Sequence, residues 1–258
     1  MKANYHTHTM RCKHAMGKDE DYIRAAIAAG YDQIGFSDHT PWPYASDFVS
    51  GVRMDPSELE EYVRSLRALG EKYKNQIRVL VGLECEYFPA YMDWLFEKKQ
   101  ELGLDYLILG NHFDETDESG MYFGRISTPQ MLHRYVNSTI RALETGAFLY
   151  LAHPDLYMRS YPEFDRDCRE AAKDLCRAVR EMGLLVEYNL EGVRASQNEG
   201  RVLYPHPAFW ETAAGEDVRA IIGVDAHSPQ SLEKTVLWQQ SYDLLRGMGF
   251  EIVTSLSL

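Results

Sequence analysis

Seven short apolar runs, each followed by a stretch of helical length, place the strongest limit on how this 258-residue chain can fold. Such alternation is typical of βα units, in which strands enter a parallel sheet and helices cover it. The runs that predict strands are ANYHTH, YDQIGFSDH, IRVLVGLECEY, LDYLILGNH, FLYLAHPD, LLVEYNL and VRAIIGVDAH. The predicted helices span residues 19–29, 56–74, 89–101, 128–145, 165–182, 206–214 and 229–247, and EIVTSL closes the chain. We therefore expect an α/β fold of seven βα units.

The number of domains follows from the absence of a break in this pattern. No segment rich in Pro, Gly or Ser divides the sequence, and no internal repeat is evident. A single α/β barrel commonly reaches this length, so we expect one domain over residues 1–258. Seven βα units favour a closed or nearly closed barrel, and an open doubly wound sheet is the alternative because a strand count does not establish closure.

Charge and apolar content exclude several classes of protein. The chain carries 27 basic and 39 acidic side chains, a formal net charge of −12, which argues against a protein that neutralises a nucleic-acid backbone. No apolar run approaches 18 residues and no signal peptide opens the sequence, so we expect a cytoplasmic protein with no membrane partner. The four cysteines show no CxxC spacing, and we assign them no chemistry. Oligomeric state cannot be read from the sequence.

Side chains that bind metals follow the ends of the predicted strands. They are His6, His8, His14, Asp38, His39, Glu84, Glu86, His112, His153, Glu187, Asn189, Asp225 and His227. The carboxyl ends of barrel strands form the face on which such enzymes build their sites. Side chains two apart on a strand share a face, so His6 with His8, and Asp225 with His227, can act as pairs. Imidazole and carboxylate together suit Zn, Mn, Fe or Co, and the missing thiolates argue against a structural zinc site.

The distribution of the histidines distinguishes a metal-binding role from a structural role for these side chains. Seven of the nine lie at or just after predicted strand ends, whereas His133 falls on a predicted helix and His206 at a loop or helix start. Independent packing roles would scatter histidines over helices and loops. The pattern therefore predicts a metal site, and we assign His133 and His206 structural roles.

The ordered motifs HTH, a histidine at 14, SDH, GLE, GNH, AHP and DAH resemble the PHP superfamily, the polymerase and histidinol phosphatase group, over essentially the whole chain. The segments FSDHTPW, GLECEY and EYNLEGVR are most similar to its monofunctional histidinol-phosphatase branch. The resemblance implies a distorted (βα)7 TIM-like barrel with three divalent metal ions, Zn, Mn or Fe, at the C-terminal ends of the strands. It implies His6, His8, Glu84 and Asp225 for the first metal, Glu84, His112 and His153 for the second, and His14, His39 and His227 for the third.

Chemistry at such a site would be hydrolysis of a phosphomonoester, L-histidinol phosphate in the case of this branch, by a hydroxide that bridges metals. Glu84, Asp225 and His227 are the candidate catalytic residues, with Asp225, His227 or a water protonating the leaving alcohol. Arg159 and Arg194 are candidate phosphate ligands, because guanidinium matches phosphate. Trp42 could stack on the substrate ring, and the acidic run Asp114, Glu115, Asp117 and Glu118 could attract an ammonium group.

Two departures from the branch keep the substrate open. The branch usually has a Ser inside the equivalent of GNH, and small or hydroxyl residues where this chain has Leu190 and Glu191. A PHP phosphoesterase for another small phosphorylated metabolite is therefore one alternative. An amidohydrolase-type enzyme is another, although it would need a lysine that GNH does not offer. A non-catalytic metal-binding module and a proofreading nuclease complete the alternatives.

Overall fold

The computed structural model describes all residues, Met1–Leu258, and its contacts divide the chain into two compact units. The first unit comprises Met1–Ile108, Val224–Val236 and Thr254–Leu258, and the second comprises Leu109–Gly223 and Leu237–Val253. The strands are β1 (Ala3–Asn4), β2 (Gln33–His39), β3 (Arg78–Cys85), β4 (Tyr106–Leu109), β5 (Leu185–Asn189), β6 (Arg219–Gly223) and β7 (Ile252–Val253). The α-helices are α1 (Asp19–Ala28), α2 (Leu59–Tyr73), α3 (Met92–Glu101), α4 (Pro129–Glu144), α5 (Arg166–Glu181), α6 (Leu190–Glu199), α7 (Pro207–Ala214), α8 (Pro229–Glu233) and α9 (Thr235–Gly247).

The sheet of the first unit has the order β1-β2-β3-β4, and the β1–β2 and β2–β3 pairs are parallel. All seven residues of β2 are buried, as expected for a strand covered on both faces. Beyond β1, Thr7 pairs in parallel with Ala226, so residues 6–8 are held beside residues 225–227. This pairing brings the first and last motifs of the sequence to the same edge.

Two glycines make room for a tyrosine beneath the strand ends. A Cβ on Gly35 would lie 2.3 Å from the Tyr106 hydroxyl oxygen, and one on Gly82 would lie 2.5 Å from the Tyr106 carbonyl oxygen. The hydroxyl donates a 2.7 Å hydrogen bond to the carbonyl of Tyr5, the residue before His6. Tyr106 therefore supports the segment that carries the first two histidines.

The second unit contains a three-stranded parallel sheet in the order β5-β6-β7. Leu151 pairs in parallel with Leu109 on one side and with Val186 on the other. The helices α4, α5 and α7 pack in series, α4 on α5 and α5 on α7. The strongly amphipathic α5 is preceded by Asp165, whose side chain accepts a hydrogen bond from the Cys168 amide and caps the helix.

The α/β class predicted from the sequence is confirmed, and several elements differ in detail. The predicted strand FLYLAHPD shrinks to the single pairing residue Leu151, because His153 turns to a φ of 29° and Pro154 has no amide hydrogen to donate. Helix α6 was not predicted, and it begins where the Asn189 side chain accepts a hydrogen bond from the Gly192 amide. The predicted helix 229–247 is interrupted at Lys234.

Two broader predictions keep that status. Closure of the parallel strands into a seven-stranded barrel and the single domain over residues 1–258 both stay predictions. The helices themselves give one further result. None of them combines the length and apolar character that crossing a bilayer requires.

Candidate metal centre

In the first unit, the ends of four parallel segments bring histidines and carboxylates together. His39, the last residue of β2, stands in register beside Glu84 on β3, and its Nδ1 lies 2.9 Å from Glu84 Oε2. The His8 amide donates to the Ala226 carbonyl, and the Ala226 amide donates to the His6 carbonyl. These backbone bonds set the His6–His8 segment against the one that carries Asp225.

One group of donors is buried. His6 Nε2 lies 3.4 Å from Glu84 Oε1 and 3.5 Å from Asp225 Oδ1. His8 Nε2 lies 3.1 Å from Asp225 Oδ1 and 3.5 Å from Glu84 Oε2. The ligand atoms of His6, His8 and Asp225 lie within 4.8 Å of one another, as do those of His8, His39 and Glu84. Four predicted ligands of the first metal therefore converge.

A second group of three imidazoles lies beside the first. The nitrogens of His14, His39 and His227 lie within 4.8 Å of one another, and His14 Nε2 is 3.0 Å from His227 Nε2. His14 Nδ1 faces the Cys12 carbonyl at 2.7 Å, which aims the opposite ring nitrogen at His227. Arg11 fixes this loop through ion pairs to Asp19 and Glu61. The structure thus brings together the three residues predicted for the third metal.

Electrostatics within the cluster favour cations. Burial raises the pKa of the Asp225 carboxyl, but His6, His8 and His227 outweigh burial and hold the pKa well below 3.8. Burial lowers the pKa of His8, and Asp225 and Asp38 outweigh it, so the net shift is well above 6.5. Burial and then the positive charge of His8 lower the pKa of His227 to about 3, which leaves its imidazole neutral. Asp225 as a carboxylate and His227 as a neutral imidazole are in the forms that bind metals, whereas a metal bound by His8 would displace the proton that Asp225 and Asp38 stabilise there.

His8 supplies the sharpest test of whether a metal fits. Its ring is fully buried, carboxylate oxygens lie 3.1 and 3.5 Å away, and neither ring nitrogen makes a hydrogen bond. A buried imidazole without a hydrogen bond is costly in a folded protein, and a coordinated cation would satisfy it. With oxygen and nitrogen donors converging from several directions, the first unit suits first-row divalent ions.

The buried carboxylate of Asp38 contacts the segments that carry these histidines. Asp38 Oδ2 accepts hydrogen bonds from the amide and hydroxyl of Thr9, and Oδ1 accepts one from the His39 amide at 2.8 Å. Oδ1 also lies 3.5 Å from His8 Nδ1. The structure thus places Asp38 against the His39 backbone and the His8 ring.

The second unit holds the two remaining predicted ligands. The rings of His112 and His153 lie 4.9 Å apart, centroid to centroid, after β4 and after the Leu151 pairing. The His153 amide donates a 3.2 Å hydrogen bond to Glu187 Oε2 on β5. His133 and His206 take the structural positions predicted for them: His133 is exposed on α4, and the His206 ring caps α7 by accepting from the Ala208 amide.

The candidate phosphate ligands differ in exposure. Arg194 on α6 is buried, and its guanidinium pairs with Glu191 at 2.6 Å. Arg159 is 39% exposed and lies 3.5 Å from Glu199. In the acidic loop, Asp114 pairs with Arg134 at 3.0 Å.

Trp42 is where the structure and the sequence disagree. Only 2% of the residue is exposed, and its ring packs against Phe88, 5.1 Å away between centroids. Its indole donates a 2.9 Å hydrogen bond to Glu86. A residue enclosed in this way has no face for a substrate ring, so the stacking role predicted for Trp42 does not fit. Trp42 lies between two prolines, a pattern that predicts an exposed loop. Its hydrogen bond to Glu86 joins distant parts of the sequence, so no local pattern predicts the burial.

Two features of the site were not predicted. The Cys12 sulfur lies within 4.8 Å of ligand nitrogens of His8 and His227. Burial raises the pKa of the Cys12 thiol, but His14 and His8 outweigh it and the net shift is downward. The second feature is a buried ion pair between Arg53 and Glu86, in which Nη2 and Oε1 lie 3.0 Å apart. Cys12 and Arg53 belong to no spacing motif that a single sequence reveals, and Glu86, a donor candidate in the sequence, is engaged by Arg53 and by the Trp42 indole.

A parallel α/β fold with histidines and carboxylates gathered at its strand ends defines a class of metal-dependent proteins. The family model described as PHP domain matches residues 4–191, nearly three quarters of the sequence. The chain belongs to the PHP domain family. The matched range includes seven of the nine predicted metal ligands, and Asp225 and His227 lie beyond it.

Individual relatives extend over most of the chain. A protein of Deinococcus radiodurans named "Probable histidinol-phosphatase" is 27% identical over 239 residues, which cover 87% of this chain and 85% of that protein. The histidinol-phosphatase of Bacillus subtilis is 24% identical over 252 residues, 88% of this chain and 93% of its own. The fold is shared with a crystal structure of histidinol phosphate phosphatase from Lactococcus lactis complexed with zinc, L-histidinol and phosphate. The two structures have a TM-score of 0.75 at 18% identity, over 99% of this chain and 97% of that one.

Proposed function

We propose that this protein is a metal-dependent phosphatase that hydrolyses L-histidinol phosphate to L-histidinol and phosphate, a step of histidine biosynthesis. The observation that carries the proposal is the convergence of His6, His8, Glu84 and Asp225 in a buried cluster of one compact unit. The relatives named as histidinol-phosphatases supply the substrate. The substrate is a small phosphorylated metabolite, and the acidic chain offers nothing suited to nucleic acid.

The proposed metal ligands follow the geometry of the first unit. His6, His8, Glu84 and Asp225 would hold one ion. His14, His39 and His227 would hold another. We assign His112 and His153, whose rings face each other in the second unit, to a further ion. Three divalent ions, Zn, Mn or Fe, would supply an activated water and neutralise the charge of a phosphoryl group.

Two arginines are proposed to bind the phosphate group of the substrate. Arg194 and Arg159 are the proposed ligands of the non-bridging phosphate oxygens, since guanidinium forms paired hydrogen bonds with phosphate. The 2.6 Å pair between Arg194 and Glu191 holds the guanidinium in a fixed orientation on α6. The lowered pKa values of Asp225 and His227 leave neither side chain an acidic proton near neutral pH, so we propose that water beside these residues protonates the leaving alcohol.

The alcohol half of the substrate carries an ammonium group, which an acidic surface would attract. Glu115, Asp117 and Glu118 are the proposed surface in the loop after β4, whereas the Asp114 side chain is 7% exposed and pairs with Arg134. We propose that this loop, and not Trp42, contributes to the choice of substrate.

Phosphate release from L-histidinol phosphate, compared with sugar and nucleotide phosphates, tests the proposal. We expect kcat/KM for L-histidinol phosphate to exceed that for the other esters by at least about 100-fold, a difference of about 2.7 kcal/mol. His8→Ala should abolish turnover. His133→Ala, the same substitution at an exposed helical position, should leave it unchanged.

The outcomes separate the substrate from the reaction. Equal turnover of all esters would refute the histidinol assignment and support a PHP phosphoesterase for another small metabolite. Turnover that survives His8→Ala would refute the metal-dependent mechanism. The cytoplasmic location stays a prediction.

A further inference from the structure

His153 has a backbone conformation that its residue type disfavours. Its φ is 29°, in the left-handed region where a side chain crowds the neighbouring carbonyl. Such a residue keeps this conformation only where its surroundings fix it, and strained residues of this kind cluster at functional sites. Some group in the second unit must therefore hold the His153 backbone in place.

That group is the carboxylate of Glu187. The residue is completely buried at the middle of β5. Its Oε2 accepts a 3.2 Å hydrogen bond from the His153 amide and a 2.9 Å hydrogen bond from the Asn189 side-chain amide. The carboxylate thus fixes the backbone nitrogen of the strained residue from the neighbouring strand.

The space for this carboxylate comes from a glycine. Gly223 is the last residue of β6, and a Cβ at this position would lie 1.8 Å from Glu187 Oε1 and 2.4 Å from its Cδ. The φ of Gly223 is not positive, so its backbone conformation is open to any residue. Glycine is required at 223 because Glu187 occupies the space of a side chain.

The same carboxylate also reaches α6. Asn189 donates to Glu187 through Nδ2, and its Oδ1 accepts a 2.9 Å hydrogen bond from the Gly192 amide in the first turn of α6. This cap positions the helix that carries Arg194, the proposed phosphate ligand. Glu187 therefore connects a proposed metal ligand to a proposed phosphate ligand.

We propose that Glu187, held in the space left by Gly223, is a positioning residue that fixes both His153 and the start of α6. The inference rests on the proposed function, because it assumes that His153 binds metal and Arg194 binds phosphate. It assigns Glu187 no contact with substrate.

A double-mutant cycle tests the proposal, with Zn²⁺ as the probe. We expect Glu187→Ala and Gly223→Ala each to weaken Zn²⁺ binding at the site of His153 by about 10- to 100-fold. Each should also speed hydrogen exchange of the His153 amide. In the Glu187→Ala background, Gly223→Ala should have little further effect, because the carboxylate that it displaces is gone. Glu187→Gln keeps an acceptor for the His153 amide and should restore most of the Zn²⁺ affinity.

Controls separate positioning from loss of folding. Gly247→Ala is a matched control in the same unit, since a Cβ there meets nothing within 4 Å. Should Glu187→Ala fail to fold, Gly223→Ala and Glu187→Gln still provide the exchange and binding measurements. Additive effects in the cycle, or unchanged exchange at His153 in Gly223→Ala, would overturn the proposal. Neither measurement involves turnover. A protein inactive on L-histidinol phosphate would refute the proposed function, whereas the role of Glu187 would still be decided by the binding and exchange measurements.

Discussion

Replacing Arg53 by methionine should destabilise the protein far more than replacing an arginine of an exposed ion pair. Arg53 and Glu86 are each 1% exposed, and two guanidinium nitrogens contact the two carboxylate oxygens at 3.1 and 3.0 Å. Arg53 Nη1 also donates to the Thr40 carbonyl at 2.8 Å. These contacts fix the loop after β2 to Glu86, which directly follows β3.

The magnitude follows from burial. Removing one partner of a buried ion pair leaves the other charge desolvated and costs about 3–5 kcal/mol. For a chain of this length, each kcal/mol lowers the melting temperature by about 2–4 °C. We expect Arg53→Met to lower the melting temperature by about 6–20 °C. The double variant Arg53→Met/Glu86→Gln should recover more than half of that loss, because it removes the unpaired charge and keeps an acceptor for the Trp42 indole.

Thermal unfolding followed by circular dichroism measures this effect. Arg201→Met is the matched control, because Arg201 forms a 2.9 Å ion pair with Glu199 in which the side chains are 56% and 38% exposed. Exposed pairs contribute about 0.2–1 kcal/mol, so the control should melt within about 4 °C of the wild type. Equal losses in Arg53→Met and Arg201→Met, or no recovery in the double variant, would refute the reasoning.

Three further predictions concern the first unit and the thiols. Asp38→Asn should weaken Zn²⁺ binding about 10- to 100-fold in a competition titration, because an amide nitrogen would face the amide of Thr9 or of His39. Unchanged affinity would contradict the supporting role of Asp38. Trp42→Phe should lower the free energy of unfolding by about 1–3 kcal/mol, because Glu86 loses a buried hydrogen-bond donor. KM should stay unchanged, and a large rise in KM would support the stacking role of Trp42. All four cysteines are free and buried, so a thiol reagent should label none rapidly in the native protein and four after denaturation; fast native labelling would contradict their burial.

The sequence predicts those parts of the fold that periodicity controls. The helices from α1 to α5 and strands β2, β3 and β4 lie within one or two residues of the predicted segments or inside them, because amphipathic spacing and buried apolar runs are local signals. The parallel direction of the strands followed from their alternation with helices. Helix α6 was missed because it begins directly after β5, with no intervening loop, and its cap is a strand residue.

The candidate site likewise contains residues that the sequence predicts and contacts that it does not predict. His6, His8, Glu84 and Asp225 could be found because spacing of two on a strand and position at a strand end are visible in one sequence. The contact between the Glu187 carboxylate and Gly223 could not be predicted, because it joins residues 36 apart and depends on the space that a glycine leaves. Tertiary contacts of this kind have no local pattern.

Metal content measured together with activity tests the central claim most directly. Protein stripped with a chelator should hydrolyse no L-histidinol phosphate, and titration with Zn²⁺ or Mn²⁺ should restore turnover in step with bound metal. Metal that binds the folded state at 1,000 times its Kd stabilises it by about 4.1 kcal/mol, so the melting temperature should rise by about 8–16 °C over the same titration. His133→Ala should follow the wild type, and His8→Ala should show neither change. Full turnover by the stripped protein, or a titration in which metal binds and neither activity nor melting temperature changes, would contradict the account.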